Sequence, residues 1–128
     1  MCVNGQTKTG YLSAGDKAFS REDYPTALGY YLSALEFDEN DIYLMMQVGE
    51  CNRRMFEYKT ALAWFNRCQS NDKLHRFPQA LLYKAETLKC LTEFEDARGA
   101  IAFYHAIDSI QNSPIADLYL KNINTGML

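Results

Sequence analysis

The sequence predicts an all-α protein, an α-solenoid of three helix-turn-helix units closed by a C-terminal capping helix. Three observations predict it. A segment recurs at fixed offsets, apolar residues in each copy fall at helical spacing, and small residues return at the same two places. Asp23-Tyr24-Pro25-Thr26-Ala27-Leu28-Gly29-Tyr30-Tyr31 comes back as Glu57-Tyr58-Lys59-Thr60-Ala61-Leu62-Ala63-Trp64-Phe65, 34 residues on between Ala27 and Ala61. A third copy, Glu93-Phe94-Glu95-Asp96-Ala97-Arg98-Gly99-Ala100-Ile101, puts Ala97 36 residues after Ala61. Two extra residues therefore belong in the Ser70 to Pro78 connection, where a loop absorbs them.

A small residue lies 12 positions before each repeated alanine (Gly15, Gly49, Ala85) and another two after it (Gly29, Ala63, Gly99). Glycine inside a helix costs about 1 kcal/mol relative to alanine, so its return at matching places predicts close helix packing at both.

The elements follow in order as one domain over residues 8–128, with residues 1–7 a disordered N-terminus and units at 8–41, 42–75 and 78–111. In the first unit Pro25 falls in the opening turn of the second helix, where a missing N–H does no harm. In the second, Met45, Val48, Asn52 and Met55 mark one helix, and Asp41 or Asn40 caps it. Ala61, Leu62, Phe65 and Cys68 share one face of the next. Pro78 opens the first helix of the third unit. Asn112-Ser113-Pro114 starts a seventh helix, 114–125, with Ile115, Leu118, Tyr119 and Ile123 on one face and Gly126 as its stop. A terminal helix of that kind covers the open end of a stack.

Composition narrows the function. A chain of 128 residues with 48% apolar residues, nine Tyr, seven Phe and one Trp has material for one packed core. The net charge of -3 lacks the footprint of a nucleic-acid binder. No window approaches the roughly 18 apolar residues of a membrane span, so no membrane insertion is expected. Cys2, Cys51, Cys68 and Cys90 are too dispersed for a disulfide framework, and the helical ones read as buried thiols. His75 and His105 stand 30 residues apart with no cysteine at zinc spacing, so no metal or other cofactor is expected. His105 itself reads as a packing or surface residue. With no phosphate-binding glycine motif and no nucleophile–base–orienter set, the chain does not read as an enzyme.

A 34-residue helix-turn-helix unit with a small residue, a recurring alanine and an aromatic four residues later resembles the tetratricopeptide repeat (TPR), over residues 8–110. The resemblance implies a right-handed superhelix whose first helices line a concave, protein-binding surface. The usual first-helix tryptophan is here Tyr11, Met45 and Leu81, and the prolines that usually end each repeat are absent. Lys84 stands where an apolar residue is usual and Tyr104 where a small one is. Gly15-Asp16-Lys17-Ala18-Phe19, Val48-Gly49-Glu50-Cys51-Asn52-Arg53 and Phe77-Pro78-Gln79-Ala80-Leu81-Leu82-Tyr83-Lys84-Ala85 are similar to repeat regions preceding OmpA-like peptidoglycan-binding domains in Bacteroidetes envelope proteins, some tied to type IX secretion. Arg76-Phe77-Pro78 and the three-repeat size also resemble class II chaperones of type III secretion. The first resemblance implies a scaffold in a cell-envelope assembly, excised from a longer parent. The second implies a free-standing cytoplasmic chaperone that sequesters a hydrophobic translocator-type client, and homodimerisation is open to either.

Projected onto that architecture, the repeats form lanes. Leu12, Met46 and Leu82 make an apolar lane; Asp16, Glu50 and Glu86 an acidic one; Phe19, Arg53 and Lys89 come three residues further, and Tyr43 adds an aromatic. An apolar stripe beside carboxylates suits a peptide with hydrophobic anchors and a basic residue. Two alternatives stay open: Glu50 with Arg53 and Glu86 with Lys89 are i, i+3 pairs able to neutralise one another, and the apolar lane could be covered by the capping helix. The carboxylate clamp by which chaperone-binding TPR domains hold the acidic tail of an Hsp70 or Hsp90 needs Lys and Asn where this chain has Leu12, Asp16 and Glu50. Acids there repel that ligand.

Overall fold

A computed structural model of the chain describes residues 7–107 together with Lys121 and Ile123. Among those residues six helices follow one another without a strand: α1 (Lys8–Ser20), α2 (Tyr24–Leu35), α3 (Ile42–Arg54), α4 (Tyr58–Asn71), α5 (Gln79–Cys90) and α6 (Phe94–Ala106). The expected disordered tail and capping helix lie outside the described residues, apart from Thr7, Lys121 and Ile123. Thr7 is not part of a disordered tail: its hydroxyl accepts from the Gly10 N–H at 3.1 Å and caps α1. Asp23 and Asp41 do the same for α2 and α3, accepting from Thr26 N–H at 3.4 Å and Leu44 N–H at 3.0 Å.

Each hairpin turns through a residue in the left-handed region: Glu22 (φ 60), Phe56 (φ 66) and Thr92 (φ 61). Around each, the next residue's N–H reaches back to close the helix end, Asp23 to Ala18 O, Glu57 to Asn52 O and Glu93 to Leu88 O, at 2.9, 2.8 and 2.8 Å. This is a Schellman closure without the glycine that normally makes it easy.

The hairpins pack by threading a large side chain of the second helix over a small residue of the first. A Cβ on Gly15 would lie 2.7 Å from the Tyr31 ring, and one on Gly49 2.6 Å from Phe65. In the third unit Ile101 takes the ring's place, and Ala85 is accommodated in the same buried cluster. The second small position is different. A Cβ on Gly29 or Gly99 would meet nothing within 4 Å, and Ala63 is exposed. The expected close packing there is corrected: these residues face outward.

Core residues of the first two hairpins and Ala80 form one cluster, and those of the third hairpin with Ile123 a second. The two extra residues expected in the Ser70 to Pro78 loop go largely into helix, for α4 has 14 residues to α2's 12. The loop that follows is organised by Asp72, whose buried carboxylate accepts from the Arg76 and Phe77 N–H groups, each at 2.8 Å.

Candidate functional site

Helices α1, α3 and α5 carry the residues of the predicted lanes. None of the ten is strongly exposed, and their burial divides them. Leu12, Asp16, Phe19, Tyr43, Arg53, Glu86 and Lys89 are partly exposed. Met46 and Leu82 are 3% and 4% exposed and belong to the core, and Glu50 is 2% exposed. Two of the three apolar-lane residues therefore pack the interior, and Leu12 alone is open to a ligand from that lane.

The acidic lane is not uniform either. The Glu50 carboxylate is gripped by Arg53, with Nε and a second guanidinium nitrogen at 2.5 and 2.9 Å, and Arg54 Nε lies at 3.5 Å. Arg53 also lies 5.8 Å over the Tyr83 ring, tying α3 to α5. Lys89 pairs with Glu86 at 3.3 Å. For these two acids the self-neutralising alternative is the arrangement found, and the expectation of a continuous acidic lane is corrected. Glu50 is buried and Arg53 only partly so, and the pair stays together because separating it would leave the carboxylate desolvated without a partner.

Asp16 behaves differently. Its Oδ1 accepts from the Tyr31 hydroxyl at 2.6 Å and from the Tyr43 hydroxyl at 2.7 Å, and Gln47 Nε2 donates to the Tyr31 oxygen at 3.1 Å. One side chain on α1 is thus fixed by α2 and α3 together. Burial, and next the bond to Asp16, push both phenols well above the usual tyrosine range. Tyr31 and Gln47 had not been singled out in the sequence; both fall in apolar stretches where helical periodicity speaks only of packing.

Phe19 stacks edge-on against Tyr24, their ring centres 5.3 Å apart, and Tyr24 receives a hydrogen bond from Arg54 at 3.0 Å. At the other end of α1, Lys8 reaches Asp41 at 2.6 Å and Asp38 at 3.2 Å, and the Asp41 carboxylate in particular raises the ammonium's pKa. Cys51 and Cys68 are buried, which pushes both thiols up to about 12; Cys90, expected among the buried thiols, is exposed at the end of α5. Among the described residues no three His, Cys, Asp or Glu side chains converge on a possible metal site, and no helix is long and apolar enough to cross a membrane.

No family model matches the sequence, and no curated protein matches it. Solved structures do. The TPR2B domain of yeast Sti1, in a complex with pHsp70, superposes with a TM-score of 0.84 at 15% identity, covering 92% of this chain and 96% of that one. The first TPR of Spaghetti (RPAP3), bound to an HSP90 peptide, gives 0.84 at 16% identity, covering 95% and 94%. The Yersinia enterocolitica type III secretion chaperone SycD, in complex with a peptide of the translocator YopD, gives 0.74 at 17% identity, covering 91% and 86%. The chain has the fold of tetratricopeptide repeat domains.

Proposed function

We propose that this protein is a non-enzymatic interaction module whose concave surface holds a protein or peptide segment carrying a basic residue beside apolar anchors. The observation that carries this reading is Asp16. Of the three lane carboxylates it has no cationic partner among the described residues, yet its position is fixed by two hydroxyl donors. Neutral donors orient a carboxylate without cancelling its charge, which stays available to a ligand's lysine or arginine. Leu12 on the same helix, with Phe19 and Tyr43 nearby, supplies partly exposed apolar surface. Asp16 also opposes an acidic chaperone tail, so the ligands named for the Sti1 and RPAP3 domains are poor candidates here.

The test begins with a pull-down of the protein from its own cells, and the captured segment is then titrated by fluorescence anisotropy. Asp16→Asn keeps an acceptor for both phenols and removes the charge. Its affinity for a lysine-bearing segment should fall about fivefold, as for one partly exposed ion pair. Leu12→Asp should weaken binding further. Unchanged affinity in both folded variants refutes the reading.

The setting we infer is a cell-envelope assembly, supported by the sequence resemblance of the repeat segments. Likeness to SycD supports a second reading, a cytoplasmic chaperone sequestering a hydrophobic translocator-type client, and another SycD structure is of an alternative dimer. The same pull-down separates the two: outer-membrane or peptidoglycan-linked proteins support the scaffold, a single hydrophobic secreted client the chaperone.

A further inference from the structure

Among the described residues, clefts open between successive hairpins, and the repeat allows one of them to be read against another. The first, of about 180 Å³, is lined by Leu32, Leu35, Glu36, Glu39, Trp64 and Arg67. The second, of about 320 Å³, runs between α4 and α6 over α5. At the repeat offset, Leu32 corresponds to Asn66, Leu35 to Gln69 and Val48 to Lys84. Asn66, Gln69 and Lys84 all line the second cleft. Three positions that are apolar one unit earlier are therefore polar here and converge on one place, while Arg67 of the first cleft gives way to Phe103 in the second.

Lys84 stands two residues from both Leu82 and Glu86, about 200° round α5, so it points away from the concave lanes. Its ammonium is half-buried and donates to the neutral Gln69 Oε1 at 2.7 Å. Among the described residues no carboxylate lies within ion-pair distance of it. Burial lowers its pKa, the opposing pull of Asp96 being the smaller effect. Asp96 acts on the ammonium only from beyond ion-pair distance, so its burial is offset in part by that field and by one amide hydrogen bond, with no carboxylate in direct contact.

We propose that the cleft between α4 and α6 is a second binding site, independent of the concave surface, for a small apolar monocarboxylate. The ligand's carboxylate meets the Lys84 ammonium and the Gln69 and Asn66 amides, and its hydrocarbon lies against Leu62, Leu88 and Phe103. Glu93, Glu95 and Asp96 line the same cleft and oppose any anion, dianions and polyphosphates most, so a single carboxylate held directly on Lys84 is the most charge the cleft accepts. The volume sits at the lower end of ligand pockets, and Gly99 is part of its wall.

The test is a titration of the ¹⁵N-labelled chain with octanoate and, separately, octanol, followed by amide shifts. Octanoate should bind saturably with shifts gathered on α4, α5 and α6, and octanol about tenfold more weakly, the worth of one charge-assisted hydrogen bond. Lys84→Met should lose the preference for octanoate while folding at least as stably as the parent, and Lys84→Arg should keep it. Equal affinity for the two probes, no octanoate binding at millimolar concentration, shifts centred elsewhere, or an undiminished preference in Lys84→Met overturns the proposal. Should Lys84→Met fail to fold, the comparison of probes on the unchanged chain decides.

Discussion

Four of the helical glycines, Gly15, Gly29, Gly49 and Gly99, occupy two registers of the repeat, and the same substitution should act on them with opposite sign. In Gly15→Ala the new methyl would sit 2.7 Å from two ring carbons of Tyr31; in Gly49→Ala it would sit 2.6 Å from Phe65. Both rings are fully buried, and Tyr31 is further held by its bond to Asp16 at 2.6 Å, so neither can swing aside cheaply. Overpacking of this kind costs up to about 3 kcal/mol, against about 1 kcal/mol gained from alanine's helix propensity. The net expectation is a loss of about 2 kcal/mol for each, or a melting temperature lower by roughly 8 °C. At Gly29 and Gly99 a methyl meets nothing within 4 Å, which leaves only the propensity gain of about 1 kcal/mol. Urea unfolding of the four single variants, with constant m-values, reads the difference directly. If Gly15→Ala and Gly29→Ala moved the midpoint in the same direction, the ring-over-glycine account of hairpin packing would be wrong.

The other predictions concern the turns, the buried polar network and the thiols. Thr92→Gly should stabilise by about 1 kcal/mol, because a β-branched residue at φ 61 carries a left-handed penalty that exceeds glycine's entropic cost; lower stability would refute it. Asp16→Ala should cost about 1 to 3 kcal/mol by stripping the acceptor from Tyr31 and Tyr43, and Asp16→Asn clearly less; equal losses would show that the acceptor is irrelevant. Tyr31, Tyr43, Cys51 and Cys68 all have folded pKa values raised above the unfolded ones, so their protonated forms favour the native state. Stability is therefore intact below pH 9, then lost as pH rises through the unfolded thiol value of 9.0 and phenol value of 10.0, by up to about 1.4 kcal/mol per pH unit for each group. Urea midpoints that stay flat from pH 8 to 11 under reducing conditions would contradict this. In a Cys2→Ser background, a thiol reagent should label Cys90 at once and Cys51 and Cys68 only on unfolding; simultaneous labelling of all three would contradict their burial.

What was legible in the sequence is what the repeat encodes locally. The offsets placed the hairpins, Asp41 was one of two caps expected for α3, and the i, i+3 spacing of Glu50 with Arg53 and Glu86 with Lys89 left open the pairing that is found. The left-handed turns were not legible, because Glu22, Phe56 and Thr92 stand where a glycine would have signalled them. Nor was the burial of Met46 and Leu82, since a helical lane looks the same whether it faces a ligand or a neighbour. The Asp16 network escaped for a different reason: Tyr31 and Tyr43 lie 15 and 27 residues away, a pairing that only the stacked helices create. The small-residue ladder was half legible, because helix propensity flags a glycine as unusual without saying what presses on it. The missing information sits in the partner position: Gly15 answers Tyr31, Gly49 answers Phe65, and Ala85 answers Ile101. If that correspondence is the cause, converting the second unit to the third unit's pair should repair it. Gly49→Ala with Phe65→Ile should recover at least half of the loss seen in Gly49→Ala alone, as a positive coupling in a double-mutant cycle. Strict additivity would mean that the two positions share a cluster without sharing the constraint.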